Sequence, residues 1–275
     1  MATTIVSHIN TQRSEDTPVK VSVFMLAVLC LLVEANNAGA LDHDNLDPNR
    51  PIAIEDAYVI PKGEIGVEGG LTFNDRKEGK SRFGFQPQII YGAFDNTQIE
   101  IMSGLVTEPS TVDGDDKSGD LSVAALYNFN TETVRVPAFA ARVEVGFPTG
   151  VGSKGIDTEL TGVMTRSFGR WRTHLNAGYT FLGSPQQNER SGTYRMVAAV
   201  SYPLGYPMSF TDTIIVNAFT RQSDLKGQTN PTGVGVGLRH QVSSRVVFDA
   251  GVGTEFLGPP DRSIFFSTIG LSLGF

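Results

Sequence analysis

The sequence predicts an all-β fold: a transmembrane antiparallel up-and-down β-barrel of about 12 strands, following an N-terminal signal peptide. Three observations predict it. A single short apolar run near the N-terminus precedes a small-residue cleavage site. The rest of the chain alternates apolar and polar residues in segments of roughly ten. The connections between those segments alternate between short and long.

The chain has 275 residues, of which 40% are hydrophobic, with 30 Gly and 17 Phe. Its mean hydropathy of −0.07 excludes a chain-wide helical membrane character, so apolar surface is spread finely, as strand alternation spreads it. Val21 to Val33 is the only long unbroken apolar run, and at about 13 residues it is too short for a spanning helix of roughly 20. Lys20 before it and Ala38-Gly39-Ala40 after it make it a secretory signal, not a retained anchor or a buried helix. The expected division is therefore 1–40 signal peptide, 41–61 periplasmic N-terminal segment and candidate plug, and 62–275 barrel. The 41–61 segment is polar at its start and apolar from Ile52 to Ile60, which favours packing at the periplasmic mouth. Cys30 lies inside the apolar run, and Leu29 before it is too bulky for a lipoprotein cleavage site. Cleavage leaves no cysteine, which excludes disulfides, thiol nucleophiles and cysteine-ligated metals from the mature chain. Removing Arg13, Lys20, Glu15, Asp16 and Glu34 with the signal leaves 20 basic against 26 acidic residues. That balance gives no argument for nucleic acid as a partner.

The segments follow in order. Ile65, Val67, Leu71 and Phe73 alternate with Glu64, Glu68 and Thr72; Phe83, Phe85, Ile89 and Tyr91 with Arg82, Gln86 and Gln88. Ile99 and Ile101 flank Glu100, and Leu121, Val123, Ala125, Tyr127 and Phe129 alternate with Asp120, Ser122 and Asn128. Phe139, Val143, Val145 and Phe147 alternate with Arg142 and Glu144. Residues 158–168 are ambiguous in register. Trp171, Leu175, Ala177, Tyr179 and Phe181 alternate with Arg172, His174 and Asn176; Tyr194, Met196, Ala198, Val200 and Tyr202 with Arg195 and Ser201. Ile214, Val216 and Ala218 alternate less cleanly with Asn217 and Arg221. Val234, Val236 and Leu238 alternate with glycines and Arg239, and Phe248, Ala250, Val252 and Phe256 with Asp249 and Glu255. Phe265, Ile269, Leu271, Leu273 and Phe275 close the chain.

Short connections at Ala93–Asn96, Gly169-Arg170 and Ser243-Ser244 alternate with long polar ones at 74–81, 106–119, 148–157 and 182–192. Short periplasmic turns and longer outer loops give this asymmetry, although 130–136 and 203–211 are long for the short side. A soluble β-sandwich also alternates, but its polar face meets water and is rich in Lys and Glu. Here Lys is nearly absent from the strands, and Arg, Gln, Asn, Ser and Gly suit a confined interior. Outward aromatics gather at two rims, Tyr91, Phe129, Phe139, Trp171, Tyr202 and Phe275 at one and Phe73, Phe83, Phe147, Phe181, Tyr194 and Phe265 at the other. They read as interfacial girdles.

The terminal FFSTIGLSLGF, Phe265–Phe275, resembles the last strand of bacterial outer-membrane proteins, which implies that Phe275 is the signal the barrel-assembly machinery reads. Arg50–Glu68 (RPIAIEDAYVIPKGEIGVE) and Ser167–Tyr179 (SFGRWRTHLNAGY) are similar to the outer-membrane family labelled "MetA-pathway of phenol degradation", over residues 50–275. The resemblance implies an outer-membrane barrel and transport of small aromatic or hydrophobic solutes, and it supplies no catalytic residues.

Inward acids Glu64, Glu68, Glu100, Asp120, Glu144, Asp249 and Glu255 oppose Arg82, Arg142, Arg172, Arg195, Arg221 and Arg239, seven against six. Arginine forks can bridge carboxylates on neighbouring strands, which gives either a salt-bridged, filled interior or a narrow pore of mixed charge. Gln86, Gln88, His174 and Asn176 complete the expected lumen lining. His174 and Asn176 also raise a hydrolytic alternative, but no nucleophile stands out, and a triad is defined by geometry. The acidic loop with Asp113, Asp115 and Asp116 lacks EF-hand spacing, and Gly146–Gly155 reads as a turn, not a phosphate loop. The expectation is a non-enzymatic passive channel with no cofactor or metal. Its partners are membrane lipid, the assembly machinery and a small solute; the alternative is a structural or surface-interaction barrel.

Overall fold

The structure, a computed structural model, describes Leu41–Phe275 apart from residues 49, 108–116, 151–152, 206 and 209–210. The expected signal peptide and the loop acids Asp113, Asp115 and Asp116 lie outside the described residues.

Among the described residues, twelve strands form one closed antiparallel barrel. They are β1 (Ile65–Arg76), β2 (Arg82–Phe94), β3 (Thr97–Thr107), β4 (Lys117–Asn130), β5 (Ala138–Phe147), β6 (Asp157–Phe168), β7 (Trp171–Phe181), β8 (Gly192–Leu204), β9 (Asp212–Arg221), β10 (Thr232–Ser243), β11 (Val246–Leu257) and β12 (Ser263–Gly274). Each pairs with its neighbours in sequence, and β1 pairs with β12 to close the ring. At that seam Ile65 and Phe275 exchange both backbone hydrogen bonds, at 3.0 and 2.8 Å. Closure leaves no strand edge unpaired, which a bilayer demands.

Side chains obey the strand period of two. Leu71, Ile89, Ile101, Leu175, Val216 and Ile269 stand exposed on the outer wall, while their neighbours turn inward. Aromatic pairs cluster near both ends of that wall: Phe73 with Phe83 at 4.9 Å, and Trp171 with Tyr202 at 4.6 Å. The apolar wall and its aromatic rims are those of a transmembrane barrel. Gly169, at φ 64°, and Arg170 make the two-residue turn between β6 and β7. The turn after β10 is Ser244 and Arg245, one residue later than the sequence suggests. The long connections at 131–137 and 205–211 lie on this same short-turn side, with the start of β1 and the end of β12. The first has a structural use: its Glu132 accepts the Ser167 N–H at 2.8 Å and meets Tyr58 Oη at 3.5 Å.

The register of β6, ambiguous in the sequence, turns Glu159, Thr161, Val163 and Thr165 inward. On β9, Thr213, Ile215, Asn217 and Phe219 turn inward and Val216 and Ala218 outward.

The core is inside the barrel, and residues 41–61 form it. The segment goes deeper than packing at the mouth would place it. It enters beside β9 and β10, where His43 meets Thr213 and Gln241. It rises to an apex near Pro51–Ala53 and returns past β7, β4 and β3 to Pro61, where Gly63 N–H donates to Gly92 O at 2.7 Å. Three apolar clusters hold it. Leu46, Ile52 and Ile54 pack on Val197, Ala199 and Ile215; Ala57 packs on Leu126, Ala138, Ala140 and Val163; Leu41 and Ile60 pack on Ile90. The apolar half of the segment thus finds its partners on the inner wall, which is why it does not stop at the mouth.

Candidate functional site: the lumen

A segment without strand pairing must satisfy its backbone elsewhere. Inward amides and hydroxyls do so. Asn176 grips Glu55 at both ends, accepting its N–H and donating to its carbonyl, each at 2.8 Å. Thr165 accepts Ala57 N–H at 3.0 Å, Gln98 accepts Ile60 N–H at 3.0 Å, and Asn217 donates to Ala53 O at 2.9 Å. Asn128 donates to Ala57 O and Thr268 to Pro51 O. The wall also makes room. A Cβ on Gly251 would lie 2.1 Å from Pro51 O, one on Gly237 2.6 Å from Pro51 Cγ, and one on Gly270 2.2 Å from the Arg50 guanidinium.

Two buried ion clusters anchor the segment. In the first, Arg50 pairs with Glu68 on β1 and, at 3.0 Å, with Asp249 on β11, while Arg239 pairs with Asp47 at 3.0 Å. Burial alone would lower the Arg50 guanidinium, but Glu68 and Asp249 beside it hold it above its ordinary value. In the second, Arg142 on β5 reaches Glu100 at 2.8 Å, Glu144 at 2.6 Å and Glu55 at 3.6 Å. Burial drives the Glu55 carboxyl well above the usual carboxylate range, against the pull of Arg142. Gln98 donates to Glu100 at 2.9 Å, and Gln88 at 3.5 Å. Asp56 ties the two legs together, accepting Leu46 N–H at 3.0 Å and Tyr58 N–H at 2.8 Å.

The other residues expected to line the lumen lie outside these clusters. His174 is fully buried, its ring nitrogens 3.2 Å from Thr165 Oγ1 and 3.1 Å from Ser201 Oγ. Arg172 meets Asp44 at 3.6 Å at the short-turn mouth. Glu64 sits half-buried beside Gly92, whose N–H donates to its carbonyl at 3.0 Å. Toward the outer end, Gln86 is exposed and Arg82 half-buried. Asp120 anchors an outer loop, accepting Gly150 N–H at 2.8 Å and the Ser153 hydroxyl. Arg195 pairs with Glu159 at 2.6 Å, and Arg221 with Glu255 at 3.0 Å. Asp47, Arg50, Glu55 and Glu159 are members of this network that alternation alone does not single out.

The segment divides the lumen. Above it lies a polar cavity of 410 Å³, floored by Pro48 and Ala53 and walled by Arg142, Glu144, Glu159, Arg195, Arg221 and Glu255. Asn74, Arg221, Glu255 and Ser263 also line a further 250 Å³ toward the outer loops, with Arg76, Arg82, Arg262 and Asp261. Below it, a cavity of 400 Å³ opens beside His43, Asp44, Arg170, Trp171 and Arg172. A further concavity, of 740 Å³, is an apolar groove on the outer wall, where Ala141, Gly162, Ala177 and Ala198 leave the belt thin.

The family described as "Putative MetA-pathway of phenol degradation" matches residues 48–263, from the segment through to the last strand. The chain belongs to this family. Among solved structures, this phenol-degradation family barrel is similar to the COG4313 outer membrane channel from Pseudomonas putida F1, with TM-score 0.61 and 14% identity over 84% of this chain and 100% of that one. It is also similar to the NanC porin, with TM-score 0.56 and 13% identity over 76% of this chain and 98% of that one. The KdgM porin follows, with TM-score 0.51 and 9% identity over 76% and 99%. At these identities the likeness is one of fold, that of the outer-membrane β-barrel. No curated protein sequence matches the chain.

Proposed function

We propose that the protein is a passive outer-membrane conduit for small solutes, held closed here by residues 41–61. The observation that carries this reading is the division of the lumen: polar cavities toward either end are separated by a loop whose described hydrogen bonds to the strands each involve a side chain. An eight-stranded barrel is filled by its own side chains and a sixteen-stranded one leaves an aqueous channel. Twelve strands leave room for one tucked loop, and withdrawing it joins the cavities. The family's link to phenol degradation favours small aromatic or hydrophobic solutes. A catalytic role is disfavoured because the His174 ring is fully buried and spends both nitrogens on Thr165 and Ser201.

On the same reading residues 1–40 are removed on export, so N-terminal sequencing of the membrane form returns Leu41. The Phe275 end is read by the assembly machinery, so deleting Phe275 lowers the yield of folded barrel. The central test compares the full protein with a 41–58 deletion in planar bilayers. Wild type should show small or intermittent currents and the deletion larger, sustained ones. If neither conducts and neither permits solute-driven liposome swelling, the conduit gives way to a structural or surface-interaction barrel.

A further inference from the structure

The outer cavity contains a feature the closed loop does not need. Phe219 on β9 and Phe266 on β12 both point inward, their ring centroids 6.1 Å apart and their planes tilted by 57°. They can meet because the two strands between them carry glycine there: a Cβ on Gly233 would lie 2.6 Å from Phe219 Cζ, and one on Gly253 2.2 Å from Phe266 Cζ. Two aromatic rings are therefore laid against a bared stretch of wall, half-buried, with the cavity over them. Phe219 also edges the Leu46–Ile52–Ile54 cluster, but neither ring is buried by the segment.

One rung above Phe219, Arg221 and Arg195 stand directly opposite each other on β9 and β8. Like charges in such a pair, with Cβ atoms about 4.5–5.5 Å apart, repel. Each arginine has a carboxylate of its own, Glu159 for Arg195 and Glu255 for Arg221. Arg221 spends only Nη2 on that contact, and its side chain is 59% exposed to the cavity. A guanidinium has five N–H donors in a planar fork. Arg76, Arg82 and Arg262 outweigh Asp261 and Glu255 in the adjoining space, so the approach to the pair is cationic. Such a funnel concentrates anions.

We infer that the outer cavity is a binding site for an aromatic carboxylate, whose carboxylate bridges Arg195 and Arg221 while its ring lies on Phe219 and Phe266. The inference rests on the conduit reading and names the solute class. A bridging carboxylate relieves the arginine pair, and an aromatic face meets the tilted rings in the offset geometry such pairs prefer. A sugar acid satisfies the arginines equally well, but only an aromatic ring also covers the apolar floor made by Pro48, Ala53, Val197 and the two phenylalanines. The cavity's 410 Å³ lies within the usual range for small-molecule sites.

Equilibrium dialysis of detergent-purified full-length protein against benzoate tests this without reference to conductance. Acetate, benzyl alcohol and glucuronate serve as comparison solutes lacking the ring, the charge and the flat apolar face. Benzoate should bind at least tenfold tighter than each. Arg221→Gln and Phe266→Leu should each weaken benzoate about tenfold, while Arg221→Lys retains part of the affinity. Heat-modifiable mobility confirms that each variant is folded, and Phe219→Leu supplies a second ring variant if Phe266→Leu does not fold. Benzoate binding no tighter than acetate, glucuronate binding tighter than benzoate, or folded variants that bind benzoate like wild type would each overturn the site. Benzoate binding in a protein that never conducts would leave the site standing and remove the conduit. Conductance without benzoate binding would do the reverse.

Discussion

Replacing Arg50 by alanine should release the loop without opening the barrel. Arg50 is 4% exposed at its side chain, and its partners Glu68 and Asp249 are fully buried. Removing one member of a buried ion pair leaves uncompensated charge and costs about 3–5 kcal/mol. The low end applies, because the charge of Arg239 also reaches Glu68 and Asp249. At about 1.4 kcal/mol per tenfold, a loss of about 3 kcal/mol shifts the docked-to-released ratio roughly a hundredfold. Barrel closure should survive, since the β1–β12 seam is a full ladder from Gly66↔Gly274 to Arg76↔Ser263. Two assays read this out. Single-channel recordings should show longer open times, and a protease that cuts after Leu or Tyr should reach Leu46 and Tyr58. The triple variant Arg50→Ala, Glu68→Gln, Asp249→Asn removes the stranded carboxylates and should regain much of the protection. Wild-type conductance and wild-type protease resistance in folded Arg50→Ala would refute the anchor. Failure of the triple variant to recover would show that contacts other than charge hold the apex.

Further outcomes test the other parts of the structure. Val143→Lys places an ammonium on the exposed outer wall and should cost roughly 2–4 kcal/mol in bilayer, blocking assembly. Arg142→Lys, on the buried inner face, should still fold while losing the two-nitrogen grip on Glu100; heat-modifiable gel mobility separates the pair. Gly251→Val should expel the loop, because Pro51 O would have to retreat more than 1 Å from the 2.1 Å position; Gly104→Val, with open space around it, should leave conductance unchanged. Burial pushes the Asp56 carboxyl up to about 7, although the Tyr58 and Leu46 N–H groups and Arg172 pull it down, and Asp47 adds to the rise. A released loop restores its ordinary value of 3.8, so the docked state holds the proton more tightly and docking weakens as pH rises from about 4 to about 7. Open probability should therefore climb over that window, and Asp56→Asn should flatten the climb if Asp56 is its source.

The barrel was legible because lipid forces every second residue of a spanning strand to be apolar. β7 shows this plainly, with Leu175, Ala177 and Tyr179 outward and His174 and Asn176 inward. β9 was less clear because Ile214 and Ile215 are both apolar; Ile215 turns inward and is covered by the segment. Ile90, Leu126, Val163 and Val197 depart from the polar-inside rule for the same reason, and together they were the available signal that something apolar fills the lumen. The loop's path left no periodic trace, since its backbone bonds go to side chains far away in sequence, 121 residues from Glu55 to Asn176 and 199 from Arg50 to Asp249. Charge types were readable in advance, but their pairing was not. Glu100 and Arg142 come from β3 and β5, which are not neighbours, and only the curvature of the wall brings them together.

Both legs of the segment end on the short-turn side, and its second leg runs without interruption into β1. A withdrawn loop therefore stays tethered beneath the opening it has just left. Its return is a first-order event, independent of how much protein the membrane holds, with an effective concentration of order millimolar for a short tether. Openings should be brief flickers terminated from within, and a free peptide copying residues 41–61 would have to approach that concentration before it could hold a deleted barrel shut.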